Sequence, residues 1–243
     1  MHLVVAADSG DPLNFIDLAL VRIPRSELHL YCKGSRGHDP RCTPIANYGE
    51  VSHAFVSHIV EHYDHLAPVT VFTSASISKP IEACRRLNHL VTHLATTSEQ
   101  EAFPAFEVLD DAKASHPLDA LYDFELNTSP ASSANVTAEE ACRASTRPFG
   151  RWFEAVIDPE YDRVRERGWL DIAIFAVRAE QIKYWRLQTW QRLRSELERC
   201  REGVPHEADQ FMLRAWKAML GNEERPQPAS QPQGTTSRDC PFM

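Results

Sequence analysis

The chain has 243 residues, of which 43% are hydrophobic and 25% are charged, and its formal net charge is -8. This length suits one sizeable α/β domain, and the composition is that of an ordinary water-soluble protein. The acidic balance argues against a general nucleic-acid binder, because binding to duplex phosphates needs a basic surface. No apolar run approaches the ~20 residues of a membrane span, and the first residues lack a signal-peptide pattern, so we expect a soluble protein. The compartment and the oligomeric state stay open.

The first 95 residues alternate between strand-like and helix-like patterns. Short apolar and β-branched runs predict strands at residues 3–7, 27–32 and 69–73. Apolar residues at helical spacing predict helices at residues 13–21, at 50–66 and from about 80 to 94. This order predicts an α/β fold with a Rossmann-like core, in which neighbouring parallel strands are joined by right-handed crossovers.

The patterns in the second half of the chain are weaker. Residues 122–126 alternate like a half-exposed strand, and residues 172–177 form an apolar run typical of a buried strand. We predict helices at residues 180–200 and 208–220, with Gly221 ending the second. We assign residues 1–221 to a single domain, with a nucleotide-type half (1–95) and an aromatic-rich half (96–221). Residues 222–243 are rich in proline and polar residues, so we expect a disordered tail without core contacts.

Six cysteines are spread along the chain, and none forms a Cys-x-x-Cys pair. Their spacing shows no regular disulfide framework, and a domain of this length needs no covalent staple. We therefore expect reduced, packed thiols. A bridge between Cys32 and Cys42 is the alternative if the compartment is oxidising.

Several motifs carry a resemblance to a known family. They are Leu30-Tyr31-Cys32-Lys33-Gly34, Asn47-Tyr48-Gly49, and the segments 56–64, 69–72, 147–152 and 174–177. Together they resemble the domain of unknown function 3431 family, from about residue 3 to about residue 220. That family has no established activity. The resemblance implies binding roles for Lys33, Asn47 and His53, which match the family's Tyr-x-Lys-Gly and Asn-x-Gly-Arg-Glu-x-His motifs.

The chain departs from the family pattern at two acidic positions. Glu50-Val51 stands where the family has Arg-Glu, so the glutamate is either lost or shifted by one residue. Leu213 replaces the acid of the family's closing Glu-Arg-x-Trp motif. These departures favour one interpretation of the chain, a non-catalytic binding or interaction protein that kept the scaffold.

The layout of the two halves is similar to that of A-type glycosyltransferases, which implies an enzyme that uses a nucleotide-sugar donor. In this interpretation Lys33 and Arg147 hold the diphosphate of the donor. Asp110 or Asp111 holds a divalent ion, Mn²⁺ or Mg²⁺, which bridges the same diphosphate. The competing interpretation of the acidic pair is a helix cap or a solvated turn.

In the same interpretation, residues of the aromatic-rich half bind the acceptor and provide the base. Trp152 would stack on the acceptor sugar, and either Glu154 or Glu207 would be the catalytic base. The simpler interpretation is that the aromatic residues pack, because burying a large side chain stabilises a fold by roughly 1.5–3 kcal/mol.

Ligands of parallel α/β sheets bind outside the carboxyl ends of the strands. That rule places several polar residues near one rim, namely Asp8, Lys33, Asn47, Ser74 and Ser76. If the second half packs over the same rim, Arg147 and Trp152 join Lys33 and Asn47 on one concave surface.

A third interpretation starts from His58-Ile59-Val60-Glu61-His62, which fits the inverted zinc-peptidase string His-x-x-Glu-His. Two histidines four residues apart on a helix can share a zinc ion. Helical geometry places both histidines beside the buried apolar stripe and Glu61 away from it, whereas a peptidase would line a cleft with this face. We therefore discount a zinc hydrolase and expect no zinc on this helix.

Overall fold

The structure, a computed structural model, describes residues 1–8, 10–23, 25–34, 39–78, 81–96, 106–107, 117–126, 142–170, 173–204 and 206–221. The strands are β1 His2–Ala7, β2 Glu27–Lys33, β3 Cys42–Ile45, β4 Val69–Ser74, β5 Phe106–Glu107 and β6 Phe175–Arg178. The α-helices in these ranges are α1 Asn14–Arg22, α2 Val51–His62, α3 Ile81–Thr96, α4 Phe149–Val156, α5 Ala179–Tyr184, α6 Leu187–Leu197 and α7 Glu207–Leu220.

The strands form one mixed sheet in the order β3-β2-β1-β4-β6-β5. β1 pairs in parallel with β2 and β4, and β2 pairs in parallel with β3, which confirms the predicted parallel neighbours. β6 runs antiparallel to β4, and β5 runs antiparallel to β6. The fold is therefore α/β with a mostly parallel sheet, compatible with a Rossmann-like core.

Two apolar cores cover the two faces of the sheet. Because side chains alternate along a strand, Leu3 and Val5 of β1 face the core under α1 and α3, whereas Val4 and Ala6 face the other core. That second core lies under α2, α4, α6 and α7 and is rich in aromatic rings. Trp216 of α7 packs on the rings of three sheet and helix residues at centroid distances of 5.3–6.3 Å: Phe55, Phe72 and Phe175.

Three segments differ from their predicted structure. β3 forms in a stretch for which the sequence predicted no strand. Residues 122–126 are not a strand, because their backbone groups bond to loops and a side chain instead of a neighbouring strand: the Leu126 N–H donates to the Glu207 carboxylate. The long helix predicted at residues 180–200 is split at Trp185, whose indole Nε1 donates to the Met219 carbonyl at 2.8 Å and anchors an extended residue there.

The cysteines correct the expectation of reduced thiols. A disulfide joins Cys32 to Cys42, with their Cα atoms 5.6 Å apart, and a second joins Cys142 to Cys200, with their Cα atoms 6.0 Å apart. The first bridge holds β3 beside β2, and the second links the segment before α4 to the end of α6. The Cys32–Cys42 bridge is the alternative that the sequence analysis raised, and the Cys142–Cys200 bridge was not predicted. Disulfides are typical of oxidising environments.

Two further findings bear on the sequence expectations. In the described part of the chain, no helix combines the length and the apolar character that a membrane crossing requires. Residues 222–243, the expected tail, lie outside the described residues.

Gly150 lies in the first turn of α4, where its N–H donates to the Tyr122 carbonyl at 2.8 Å. A Cβ atom at this position would overlap the Tyr122 ring. We expect Gly150→Ala to lower the free energy of unfolding by about 1–3 kcal/mol, the usual cost of overpacking. Urea unfolding measures the change, and Ala155→Ser on the exposed face of α4 is the control. Equal stability of the two variants would show that the Tyr122 ring moves aside freely.

Candidate functional site

The carboxyl ends of β1 and β4 form the point at which the order of the sheet reverses. The chain builds β2 and β3 on one side of β1, and α2 then carries it back to β4 on the other side. Ligands of open α/β sheets bind in the crevice at such a switch point. We name this edge the carboxyl edge, and its position in the sheet favours a ligand site there.

Lys33 ends β2 at this edge and is buried, with 3% of its surface exposed. Its Nζ donates hydrogen bonds to the carbonyl oxygens of Tyr48 at 3.3 Å and Gly49 at 2.6 Å. An ammonium group carries three N–H donors, so these two bonds leave one for a ligand. Burial lowers the pKa of Lys33, and nearby carboxylates, Asp209 first among them, oppose this effect.

Asp209 lies in the first turn of α7 and is 1% exposed. Its Oδ1 accepts the N–H of Ser52, in the first turn of α2, at 3.2 Å. Gly49 makes this approach possible, because it has a φ of 52° and a Cβ there would lie 3.2 Å from Oδ1 of Asp209. The carboxylate thus lies between the N-termini of two helices and beside a buried ammonium.

Burial also shifts the pKa values of two acids near Lys33. It raises the pKa of Asp209, an effect that the positive charge of Lys33 opposes. It raises the pKa of Glu50 as well, and the charge of Asp209 adds to that increase, although Glu50 keeps an exposed flank. We name Asp8, Lys33, Glu50 and Asp209 the carboxyl-edge cluster. Groups with shifted pKa values in a crevice are typical of functional sites.

Polar side chains at the ends of β1 and β4 continue the carboxyl-edge cluster across the switch point. Asp11 Oδ2 accepts the N–H of Asp8 at 2.9 Å and the hydroxyl of Ser76 at 3.2 Å. Ser74 Oγ lies 3.3 Å from Ser76 Oγ. Of the five residues predicted at this rim, Asp8 and Ser76 share Asp11 as a partner, Ser74 contacts Ser76, and the charge of Asp8 acts on Lys33. The contact of the fifth, Asn47, is with Gly203.

The raised pKa of Asp209 predicts the sign of a pH effect. A carboxyl group with a higher pKa in the folded chain stabilises the fold below its unfolded pKa and loses that contribution as the pH rises through the folded pKa. We expect Asp209→Asn, which cannot ionise, to lose less stability than the unmodified protein between about pH 4 and about pH 7. Urea unfolding at both pH values measures this, with the exposed Glu202→Gln as control. Equal pH slopes for Asp209→Asn and the unmodified protein would contradict the prediction.

Arg147 and Glu207, expected to hold a diphosphate and to act as the base, are paired with each other. Glu207 is 2% exposed and lies 2.9 Å from Nε of Arg147. It also accepts the N–H groups of Leu126 and Ala144, each at 3.0 Å, while Arg147 reaches Glu125 at 3.0 Å. These contacts correct the roles predicted for Glu207 as a base and for Arg147 as a diphosphate ligand. The Glu207 carboxylate already accepts three donors and attaches the segments around Leu126 and Ala144 to α7.

Of the two residues that α4 was expected to contribute, Trp152 conflicts with its predicted role, whereas no contact of Glu154 tests its predicted role as a base. Trp152 is 0% exposed and packs between Phe149 and Phe211 at ring distances of 6.1 and 5.5 Å. This corrects the prediction of a sugar-stacking surface, because the indole face is covered by the core. Glu154 is partly exposed and accepts the Tyr122 hydroxyl at 3.4 Å.

The remaining predicted ligands, His53 of α2 and Asn47 before it, contact the end of α6 and the segment that follows it. His53 is 2% exposed, and its Nε2 lies 3.1 Å from Oε1 of Glu198. Burial lowers the pKa of His53, and its hydrogen bond with Glu198 opposes the change. The Asn47 carbonyl accepts the N–H of Gly203 at 2.9 Å. Two predicted metal ligands, Asp110 and Asp111, lie outside the described residues.

The two positions at which the chain departs from the pattern of the family it resembles both pack against the second core. Val51 and Leu213 are partly buried there. Glu50, one residue before Val51, belongs to the carboxyl-edge cluster instead.

A shallow cleft of about 520 Å³ lies elsewhere, between α4 and α6. Its walls share no residue with the carboxyl-edge cluster; they are formed by Ala155, Val156, Gln188, Gln191, Arg192, Ser195, Glu196 and Arg199. Glu196 is the buried ionisable residue among them. The carboxyl edge has two buried charged groups, Lys33 and Asp209, and is therefore the stronger candidate for a site.

The string His58-x-x-Glu61-His62 is placed differently from its predicted position in one respect. Glu61 is exposed, as expected. His58 is fully buried instead of lying beside the apolar stripe, because the amino ends of β1 and β2 pack over it.

Asp209 is the member of the carboxyl-edge cluster that the sequence analysis missed. It lies three and seven residues before Met212 and Trp216, on the apolar stripe of α7. A carboxylate at a core position of an amphipathic helix is unusual, since an unpaired buried charge is costly. The position of Asp209 on this apolar stripe is therefore the feature of the sequence that could have identified it as a buried, functional carboxylate.

Comparison of the chain with models of known protein families, with curated proteins and with solved structures finds no match in any of the three. Membership of the domain of unknown function 3431 family and kinship with glycosyltransferases therefore stay predictions.

Proposed function

We propose that this protein is a nucleotide-sugar-dependent glycosyltransferase whose donor binds at the carboxyl edge. The observation that carries the proposal is the convergence of Asp8, Lys33, Glu50 and Asp209 at the switch point of a mostly parallel sheet. Nucleotide ligands of such sheets bind at this place. The antiparallel β6 beside β4 supports the expected layout of a nucleotide-type half followed by a second half.

Each member of the carboxyl-edge cluster has a role in this proposal. The remaining N–H of Lys33 donates to a phosphate oxygen of the donor. Glu50, whose raised pKa suits a base, accepts the proton of the acceptor hydroxyl. The acceptor oxygen then bonds to the anomeric carbon as the bond from that carbon to the diphosphate breaks, and the nucleoside diphosphate leaves. Asp209 holds Lys33 charged and in place.

A divalent ion fits the chemistry of this edge. Mg²⁺ is usually held by one or two carboxylates together with substrate phosphates. Asp8, the other acid of the cluster with exposed surface, would hold it together with the phosphates of the donor. The ion would neutralise the charge of the departing diphosphate.

A thermal-shift panel of nucleoside diphosphate sugars, with Mn²⁺ or Mg²⁺, tests the proposal. A donor at a hundred times its dissociation constant should stabilise the fold by about 2.7 kcal/mol. Lys33→Met should weaken that donor by roughly 1.5–3 kcal/mol, the worth of a charge-assisted hydrogen bond. Lys183→Met, which removes an exposed lysine of α5, is the matched control and should leave donor binding unchanged.

Glu50→Gln separates catalysis from binding. We expect it to keep the thermal shift with the donor and to abolish release of the nucleoside diphosphate to an acceptor. The second candidate, a non-catalytic binding protein, is favoured by the pairing of Arg147 with Glu207 and by the burial of Trp152. A donor-induced shift without turnover in the unmodified protein would support that candidate, and the absence of any shift would reject the donor site.

A further inference from the structure

Four histidines meet at the amino edge of the sheet, opposite the carboxyl edge. His2 begins β1, His29 lies in β2, and the second half of α2 contributes His58 and His62. As a crossover between parallel strands, α2 runs against their direction and brings its last turns to their amino ends. The centroids of the four rings are 4.5–5.9 Å apart. We name these residues the histidine cluster.

The ring nitrogens of the cluster are close to coordination distance. One nitrogen each of His29, His58 and His62 lies within 4.8 Å of the other two. A tetrahedral ion with metal–nitrogen distances of about 2.0–2.1 Å holds its ligand nitrogens about 3.3 Å apart. If small rotations of the side chains shortened the distances between these nitrogen atoms by about 1.5 Å or less, all three imidazoles could bind one ion.

The cluster also contains buried nitrogens that no described residue satisfies. Nε2 of His58, Nε2 of His29 and Nδ1 of His2 are buried and have no hydrogen-bond partner within the described part of the chain. His58 is 0% exposed. An unsatisfied buried polar atom is costly, and a metal ion would use its lone pair.

The neighbours of the cluster orient these rings. Nδ1 of His58 lies 3.1 Å from the hydroxyl oxygen of Tyr31. When His58 donates Nδ1–H to that oxygen, Nε2 keeps its lone pair and points into the cluster, which is the usual arrangement of a metal-binding histidine. Glu27 lies 3.6 Å from Nε2 of His29 and 3.9 Å from Nε2 of His2, and adds negative charge at the rim.

We propose that the histidine cluster binds one divalent transition-metal ion, with His29, His58 and His62 as ligands and His2 as the fourth. Imidazole ligands suit Zn²⁺, Cu²⁺ and Ni²⁺ rather than Mg²⁺ or Ca²⁺. The site is structural: the ion ties β1 and β2 to the end of α2, and a set of four protein ligands leaves no open position. Exposed Glu61 takes no part, so this is not the zinc-hydrolase string. The proposal replaces the expectation of no zinc, which considered α2 alone.

The test uses the full chain without an affinity tag, purified without chelator. Elemental analysis should find about one zinc per chain, and adding Zn²⁺ to chelator-stripped protein should raise its melting temperature. His58→Gln and His62→Gln should each weaken Zn²⁺ binding by at least about 100-fold. This loss exceeds the loss expected when a residue that only hydrogen-bonds to a metal-binding side chain is replaced. Tyr31→Phe should weaken it by about 10–100-fold. His65→Gln, an exposed histidine three residues beyond His62, should bind Zn²⁺ like the unmodified protein.

Two results would overturn the proposal. One is the absence of both bound zinc and any rise in melting temperature with Zn²⁺, Ni²⁺ or Cu²⁺. The other is Zn²⁺ binding that survives unchanged in His62→Gln, which would place the ion elsewhere. If His58→Gln fails to fold, the half-buried His62 and the Tyr31→Phe variant still decide the question.

Discussion

Replacing Glu207 by alanine is expected to lower the free energy of unfolding by about 3–5 kcal/mol, the usual loss when one partner of a buried ion pair is removed. The carboxylate accepts the N–H groups of Leu126 and Ala144 and pairs with Arg147. Its removal leaves all three donors without this acceptor in a place that water reaches poorly. Urea unfolding at neutral pH measures the change.

Glu125→Ala is the matched control, because Glu125 is the exposed partner of the same arginine. Its side chain is 42% exposed, and it lies 3.0 Å from Arg147. Exposed ion pairs contribute at most about 1 kcal/mol, so the control should be close to the unmodified protein. If Glu207→Ala costs no more than Glu125→Ala, Glu207 is not a structural residue and its sequence-predicted role as a base returns.

The second large effect is expected from the disulfide between Cys142 and Cys200. The two cysteines are 58 residues apart, so the bridge removes much of the freedom of the unfolded chain. The chain-entropy relation predicts a loss of about 4 kcal/mol when both cysteines are changed to serine. For Cys32 and Cys42, which are 10 residues apart, the same relation predicts about 3 kcal/mol.

Two measurements check this prediction. Intact-mass analysis after alkylation, with and without prior reduction, shows whether the four thiols are bonded. Urea unfolding of the two double-serine variants then compares their stabilities, with each variant as the control for the other. Full alkylation without reduction would contradict both bridges and restore the expectation of free thiols.

The sequence predicted those elements that have a strong local pattern. β1, β2 and β4 are short apolar runs, and α2 and α7 have apolar stripes, and all five lie within a few residues of the predicted positions. Their parallel arrangement followed as well, since strands that alternate with helices have few ways to connect. These features depend on neighbours along the chain.

Elements that depend on distant partners were not predictable in the same way. β3 has a mixed sequence and exists because β2 offers an edge and Cys32 a covalent partner. The break at Trp185 depends on the Met219 carbonyl, which lies 34 residues further along the chain. Residues 122–126 have a strand-like alternation but pair with no strand in the described part of the chain, so the pattern alone was misleading.

The same distinction, between features set by neighbouring residues and features set by distant partners, applies to the candidate site. By itself the sequence determined the α/β class, the parallel core and the presence of Lys33 at the carboxyl end of a strand. Only the tertiary structure decided that Asp209 joins Lys33, that Arg147 and Glu207 neutralise each other, and that Trp152 is enclosed. The physical reason is that hydrophobic periodicity is written into neighbouring residues, whereas the charge and burial of a side chain depend on groups that folding brings from elsewhere in the chain.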